Sequence, residues 1–270
     1  MKSKKLKKWT TLLTCATALT VMTACSQSSN QSTGTTSSTT SKTSAVTATT
    51  SKKTNKNSNS NYFTSKDSDT SYNESSATKI KLSGSSADVS GDGAALSGST
   101  VTISKAGTYV ISGKSDGVQI KVDAGDSDDV HIVLDGATMT NTNAAINATK
   151  AGHVYLTLKD GTTNTLSDSS SNSDEDADAV IFSKGDLTIN GSGTLNIDAK
   201  KNNGIKANDS LHITGGTYKI SSVGDAFNVN DELNITGTTM TIEAEEDGVK
   251  VDNDDDTSVG TMYLSDNTMT

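Results

Sequence analysis

The chain has 270 residues, no proline, 4% aromatic residues and a formal net charge of −9, from 23 basic and 32 acidic side chains. All the basic residues are lysines, and an acidic chain lacks the basic face that a nucleic-acid binder presents; two cysteines are too few for a disulfide scaffold. The scarcity of bulky apolar residues excludes one deep helical core, whereas abundant Thr, Ser, Asn, Asp and Gly suit a thin, repetitive β structure.

Residues 1–25 read as an export signal. Five lysines in Met1–Lys8 precede a modestly apolar run, Trp9 to Ala24, whose 16 residues fall short of the about 20 that a spanning helix needs. The run ends Val21-Met22-Thr23-Ala24-Cys25, which resembles the lipobox of bacterial lipoproteins, with Met22 where that pattern prefers leucine. The resemblance implies a lipidated Cys25 and a chain held on the extracellular face of the cytoplasmic membrane by lipid alone. Residues 26–77 are dominated by Ser, Thr and Asn. Such a composition cannot bury enough apolar surface to offset its ordering entropy, so a disordered tether is expected there. The folded part is then 78–270, and it is strongly anionic.

The strongest signal is a repeat. Asp186-Leu187-Thr188-Ile189-Asn190-Gly191 is echoed by Ser210-Leu211-His212-Ile213-Thr214-Gly215 and by Glu232-Leu233-Asn234-Ile235-Thr236-Gly237, then more faintly by Thr261-Met262-Tyr263-Leu264. Each unit adds a second alternation (Leu195/Ile197, Tyr218/Ile220, Met240/Ile242) and a third (Ile205/Ala207, Phe227/Val229, Val249/Val251). Three short period-2 strands separated by Gly, Asn and Asp turns describe one coil of a parallel β-helix. Asn203 to Asp225 and Asp225 to Asp247 are each 22 residues, which sets the period. Earlier coils are less regular, and an acidic insertion, Asp168–Asp178, falls between two of them. Thr268-Met269-Thr270 aligns with Thr239-Met240-Thr241 and stops inside a coil, so the C-terminus reads as cut. A β-sandwich is the minor alternative, disfavoured by the constant spacing.

Stacking brings equivalent positions of successive coils to one strand spacing, about 4.7–4.9 Å. One column then reads Asp178, Asn203, Asp225, Asp247, and a second, five residues on, reads Ser183, Asn208, Asn230, Asp252. Two readings stand side by side. Stacked carboxylates could share calcium, whose oxygen ligands lie about 2.3–2.6 Å away. Alternatively, Asx side chains occupy these turns because they hydrogen-bond the local backbone. Lys206 and Lys250 project beside the column, suited either to an acidic sugar's carboxylate or to proton abstraction, or else simply solvated. The outward column of the first strands, His131, Tyr155, Thr188, His212, Asn234 and Tyr263, offers a flat polar face on which His131 and Tyr155 could stack a sugar ring.

The lipobox, the tether, Gly107-Thr108-Tyr109-Val110-Ile111-Ser112-Gly113, His131-Ile132-Val133-Leu134-Asp135-Gly136 and the repeated units together resemble clostridial-type carbohydrate-binding domain-containing proteins, over roughly residues 78–270. The resemblance implies a right-handed parallel β-helix, similar in shape to calcium-dependent pectate lyases. It also implies bound calcium, with ligands at the Asp columns, and affinity for cellulose or polygalacturonate-type acid sugars. Asn203 departs from the aspartate pattern. The reading carried forward is a monomeric surface protein that binds acidic plant-wall polysaccharide or cellulose through calcium. The alternatives are a polysaccharide lyase with Lys206 or Lys250 as base, and a structural stalk.

Overall fold

The computed structural model describes residues 61–270. The export signal, Cys25 and the tether up to residue 60 lie outside the described residues.

Glycines and Asx turns cut the chain into short strands, and the apolar alternation decides which side of each strand faces inward. Two antiparallel pairs, β1 (Thr78–Gly84) with β2 (Ser86–Ser90) and β3 (Ala94–Ser97) with β4 (Thr100–Ile103), open the fold. The chain then winds through β5 (Gly107–Asp116), β6 (Gln119–Asp123), β7 (Asp129–Thr140) and β8 (Ile146–Lys150). After these, each turn lays down three strands. The first turn is β9 (His153–Leu158), β10 (Thr163–Ser167) and β11 (Ala179–Ser183); the second is β12 (Leu187–Gly191), β13 (Thr194–Ala199) and β14 (Asn203–Ala207). The third is β15 (Ser210–Thr214), β16 (Thr217–Ser222) and β17 (Phe227–Val229). β18 (Glu232–Thr236), β19 (Thr239–Ala244) and β20 (Lys250–Val251) follow, and β21 (Thr261–Ser265) and β22 (Thr268–Met269) end it.

Successive turns pair strand on parallel strand in three rows: β7-β9-β12-β15-β18-β21, β7-β10-β13-β16-β19-β22 and β4-β6-β8-β11-β14-β17-β20. The architecture is therefore all-β, a stack of parallel strands consistent with a β-helix. The described residues contain no α-helix. The 22-residue spacing holds where Leu211 pairs with Leu233, Tyr218 with Met240 and Ile205 with Phe227. It does not hold throughout. Leu187 pairs with Leu211, 24 residues on, and Leu233 with Met262, 29 residues on, because the turns after β12 and β13 and the turn into β21 are longer.

Inward residues stack into columns, of which Ile132, Leu156, Ile189, Ile213 and Ile235 form one, each at most 1% exposed. On the next rung Leu264 is 42% exposed, so burial there needs a neighbour on both sides. Between β10 and β11 the acidic insertion folds back on the third row. Ala177 packs on Phe182 and Ala144, and the buried Asp168 accepts the Lys200 N–H at 2.7 Å. Burial pushes the Asp168 carboxyl above the usual carboxylate range.

Candidate functional site

The first-strand outward column occurs in the expected register, His131–Tyr155–Thr188–His212–Asn234–Tyr263. It is not open. Residues 61–77, expected within the disordered tether, lie across it as a strap. The Tyr62 ring stacks on Tyr263 with centroids 3.8 Å apart, and its carbonyl accepts the Asn234 amide at 2.9 Å. Phe63 meets His212 edge-on, Lys66 sits 4.7 Å above the Tyr155 ring, and Tyr72 meets His131 edge-on. Composition argued for disorder here, but composition averages over the three aromatic residues and one aspartate that anchor the segment.

Asp67 is the centre of the strap's seat. It is 2% exposed, and its carboxylate accepts the Thr188 hydroxyl at 2.7 Å and the Thr64 N–H at 2.7 Å; His212 Nδ1 stands 3.2 Å away. Burial pushes this carboxyl up, but the His212 ring beside it and the Thr188 and Thr64 donors outweigh burial and hold it well below the usual range. The Asp67 carbonyl takes the Thr214 hydroxyl at 2.7 Å and the Asn190 amide at 3.2 Å. Each hydroxyl has one proton. Thr188 spends its proton on Asp67 and Thr157 spends its own on Asn190, so His153 Nε2 and His131 Nε2 donate to these two hydroxyls. Burial pushes both histidines below the usual range, which suits neutral rings in these roles. His131 and Tyr155 thus lie on adjacent rungs as expected, but their rings contact the strap and His153 rather than an open face.

The Asp column forms in register from Asn203 through Asp225 to Asp247, but Ala179 rather than Asp178 pairs with Asn203, so Asp178 sits one residue off it. The Asn203 and Asp225 oxygens already accept hydrogen bonds. Asn203 Oδ1 accepts the Asp225 N–H at 3.0 Å, and Asp225 Oδ1 accepts the Asp247 N–H at 3.1 Å. The other Asp225 oxygen takes the Asn228 amide at 2.7 Å. Asp178 holds the Lys206 ammonium at 2.6 Å with one oxygen and the Asn202 amide with the other. Asn230 and Asp252 follow β17 and β20 on adjacent rungs, their N–H groups bound to the Ala207 and Val229 carbonyls. Among the described residues no three His, Cys, Asp or Glu side chains converge to hold one ion. The column as found fits the backbone-bonding reading, Asn203 and Asp225 each accepting an N–H from the next rung. Lys206 and Lys250 stand on one outward column with Asn228 between them. Lys206 is tied down by Asp178 and Lys250 is exposed.

This assignment makes a direct prediction. Asp225→Ala leaves the partly buried Asp247 N–H and the Asn228 amide without their acceptor, so a loss of about 1–3 kcal/mol in urea unfolding is expected. The loss should be equal with calcium and with a chelator. A loss seen only in calcium would restore the metal reading.

The open feature lies beside the strap, a groove of about 580 Å³ at the corner between the first and second rows. Gly191, Gly215 and Gly237 form its floor on successive rungs, with φ of 102°, 79° and 69°. An added Cβ at Gly191 would stand 2.2 Å from the Leu158 carbonyl oxygen, so this corner stays free of side chains. Ser68, Thr70 and Tyr72 of the strap line one side, with the Tyr72 ring packed on Val110 and Val133. Lys159, Asp160 and Ser192 lie on the other. Lys159 donates to Asp135 at 2.7 Å, which raises its pKa, and Ser192 donates to Asp160 at 2.6 Å. Sequence reasoning missed this groove. The glycines were visible in the repeat but read only as turns, and its second wall depends on where the strap docks.

A family model described as carbohydrate-binding domain-containing protein matches residues 97–270. The chain belongs to this carbohydrate-binding domain family. A family relative of that name from Acetivibrio thermocellus is 36% identical over 137 residues, 48% of each chain, so the match spans about half that curated relative's length. A solved structure, the gadolinium derivative of a polysaccharide lyase-like protein from C. thermocellum, superposes with a TM-score of 0.69 at 33% identity. It covers 72% of this chain and 81% of its own. The family match begins at residue 97, so the strap lies outside it.

Proposed function

We propose that this family member binds an uncharged polysaccharide laid along the stack in the groove between the strap and the glycine corner. The observation that carries the reading is a floor of glycines on three successive rungs, flanked by hydroxyls and one tyrosine. Sugar hydroxyls suit such polar walls, and a tyrosine face supplies apolar contact to a ring. The charges give an acidic chain little to hold: the groove lining carries one lysine and one aspartate, Lys159 and Asp160, and Lys159 is already paired with Asp135. The proposal thus departs from polygalacturonate and keeps the cellulose-type alternative.

Tyr72→Ala is expected to weaken binding of a cello-oligosaccharide by roughly tenfold, the equivalent of about 1.4 kcal/mol, as measured by calorimetry. Oligogalacturonate should bind more weakly than the neutral chain, and a chelator should leave the neutral chain's affinity unchanged. Preference for the uronate, or loss of binding in chelator, would overturn this reading.

Two finer expectations travel with the proposal. The coil is taken as right-handed, the hand that right-twisted strands impose on parallel crossovers, and a crystal structure checks it. Lipid attachment at Cys25 on the cell surface is checked by whether Cys25→Ala leaves the membrane fraction. A lyase reading gains no support at Lys206, whose ammonium is held by Asp178 at 2.6 Å rather than free to approach a substrate.

A further inference from the structure

The strap that forms one wall of the groove is seated by a charge cluster around Asp67. The Asp67 carboxylate is almost fully buried, and a buried carboxylate is costly unless a cation and hydrogen bonds compensate it. Every charged or titratable group packed near it can be named. On the strap itself, Lys66 is paired with Asp129 of β7 and Asp69 is exposed. On β7 and β9, His131 and His153 donate to threonine hydroxyls and burial holds both below the usual range, and Tyr155 lies under Lys66. On β15, His212 stands between two carboxylates, with Nδ1 3.2 Å from Asp67 and Nε2 3.2 Å from Glu232 of β18. Asn234 also donates to that Glu232 oxygen. His212 is therefore the imidazole whose charge the site favours.

We propose that His212 is a proton-operated latch: while charged, it clamps the strap's Asp67 against Glu232 and keeps the groove wall in place, and losing its proton frees the strap. The proposal rests on the groove reading only for its consequence, that glycan affinity follows the latch; the latch itself stands on the cluster.

The direction of the pH effect follows from the two partners. Burial alone would lower the His212 pKa, but Asp67 and Glu232 outweigh it and raise the pKa above the usual value of about 6.5. A group raised in this way stabilises fully below about 6.5 and stops stabilising as pH rises through its raised value. Asp67 is shifted the other way, so its contribution is present above about 4 and is lost only as pH falls through its lowered value. The latch is therefore closed in mildly acidic solution and opens on the alkaline side.

The test is amide hydrogen exchange on the full chain from pH 5.5 to 8.5, corrected for intrinsic rates. Thr64, Asp67 and Asp69 serve as reporters because their N–H groups are hydrogen-bonded within the strap. Their protection is expected to fall at least tenfold across that range, while protection in β9, β12 and β15 holds. His212→Gln should show low strap protection and no pH dependence. Glu232→Gln should move the midpoint to lower pH, an effect that a purely structural role would not produce. Strap protection independent of pH, or a His212→Gln profile matching the native one, overturns the latch. In parallel, the affinity for a cello-oligosaccharide is expected to fall about tenfold from pH 5.5 to 8.5. Binding that stays constant while the strap opens overturns the link to the groove. No binding at either pH, with the exchange result intact, overturns the groove reading and leaves the latch standing.

Discussion

Gly191→Ala is expected to lower the melting temperature by roughly 5–15 °C. Two costs add. A residue with φ of 102° is in a region that L side chains rarely adopt, at about 1–2 kcal/mol. The new Cβ would also stand 2.2 Å from the Leu158 oxygen and 3.0 Å from its carbonyl carbon, so the strand on the preceding rung must move, at a further 1–3 kcal/mol or so. For a domain of this size each kcal/mol shifts the melting temperature by about 2–4 °C. Gly136→Ala is the control. Its φ is 71° but nothing lies within 4 Å of the added carbon, so only the backbone cost, about 1–2 kcal/mol, should appear. Equal losses at the two sites would show that close stacking at the corner is not what excludes a side chain there.

Phe227→Ala is expected to cost about 3–5 kcal/mol and to do so unevenly along the stack. Phe227 is fully buried in the third row, paired with Ile205 on the preceding rung. In a stack each rung touches only its neighbours, so the damage should spread by contact rather than unfold the whole domain at once. Hydrogen exchange should quicken in β14, β17 and β20, while β5 to β9 keep their protection. A uniform loss throughout, with one sharp unfolding transition, would show that the stack behaves as a single cooperative unit.

Legibility differed by the range of the interaction involved. The alternation of Leu187/Ile189, Leu211/Ile213 and Leu233/Ile235 named the inward columns correctly, because side-chain direction in a strand follows from the period alone. The outward column His131 to Tyr263 and the rung-to-rung order of Asn203, Asp225 and Asp247 were legible for the same reason, whereas Asp178 falls one residue off, Ala179 taking the place opposite Asn203. What those outward residues do was not. Whether a carboxylate meets a metal or an N–H depends on the tilt of one turn against the next, and no spacing encodes that. Asp225 accepts the Asp247 N–H because the turn of one rung delivers that donor to it. The strap was hidden more deeply. Three of the chain's ten aromatic residues, Tyr62, Phe63 and Tyr72, lie in a segment otherwise built like a tether. That concentration was the available signal, but its partners lie far along the chain, His131 for Tyr72, His212 for Phe63 and Tyr263 for Tyr62.

The amino-acid order by itself determined the all-β stack, its inward columns and the glycine corners, since each depends on neighbours two residues or one repeat apart. Only the tertiary structure decided that the N-terminal segment covers the histidine–tyrosine face and builds one wall of the groove. A long-range contact of that kind is won by a few well-matched groups, here a buried carboxylate and its donors, and average composition does not register them.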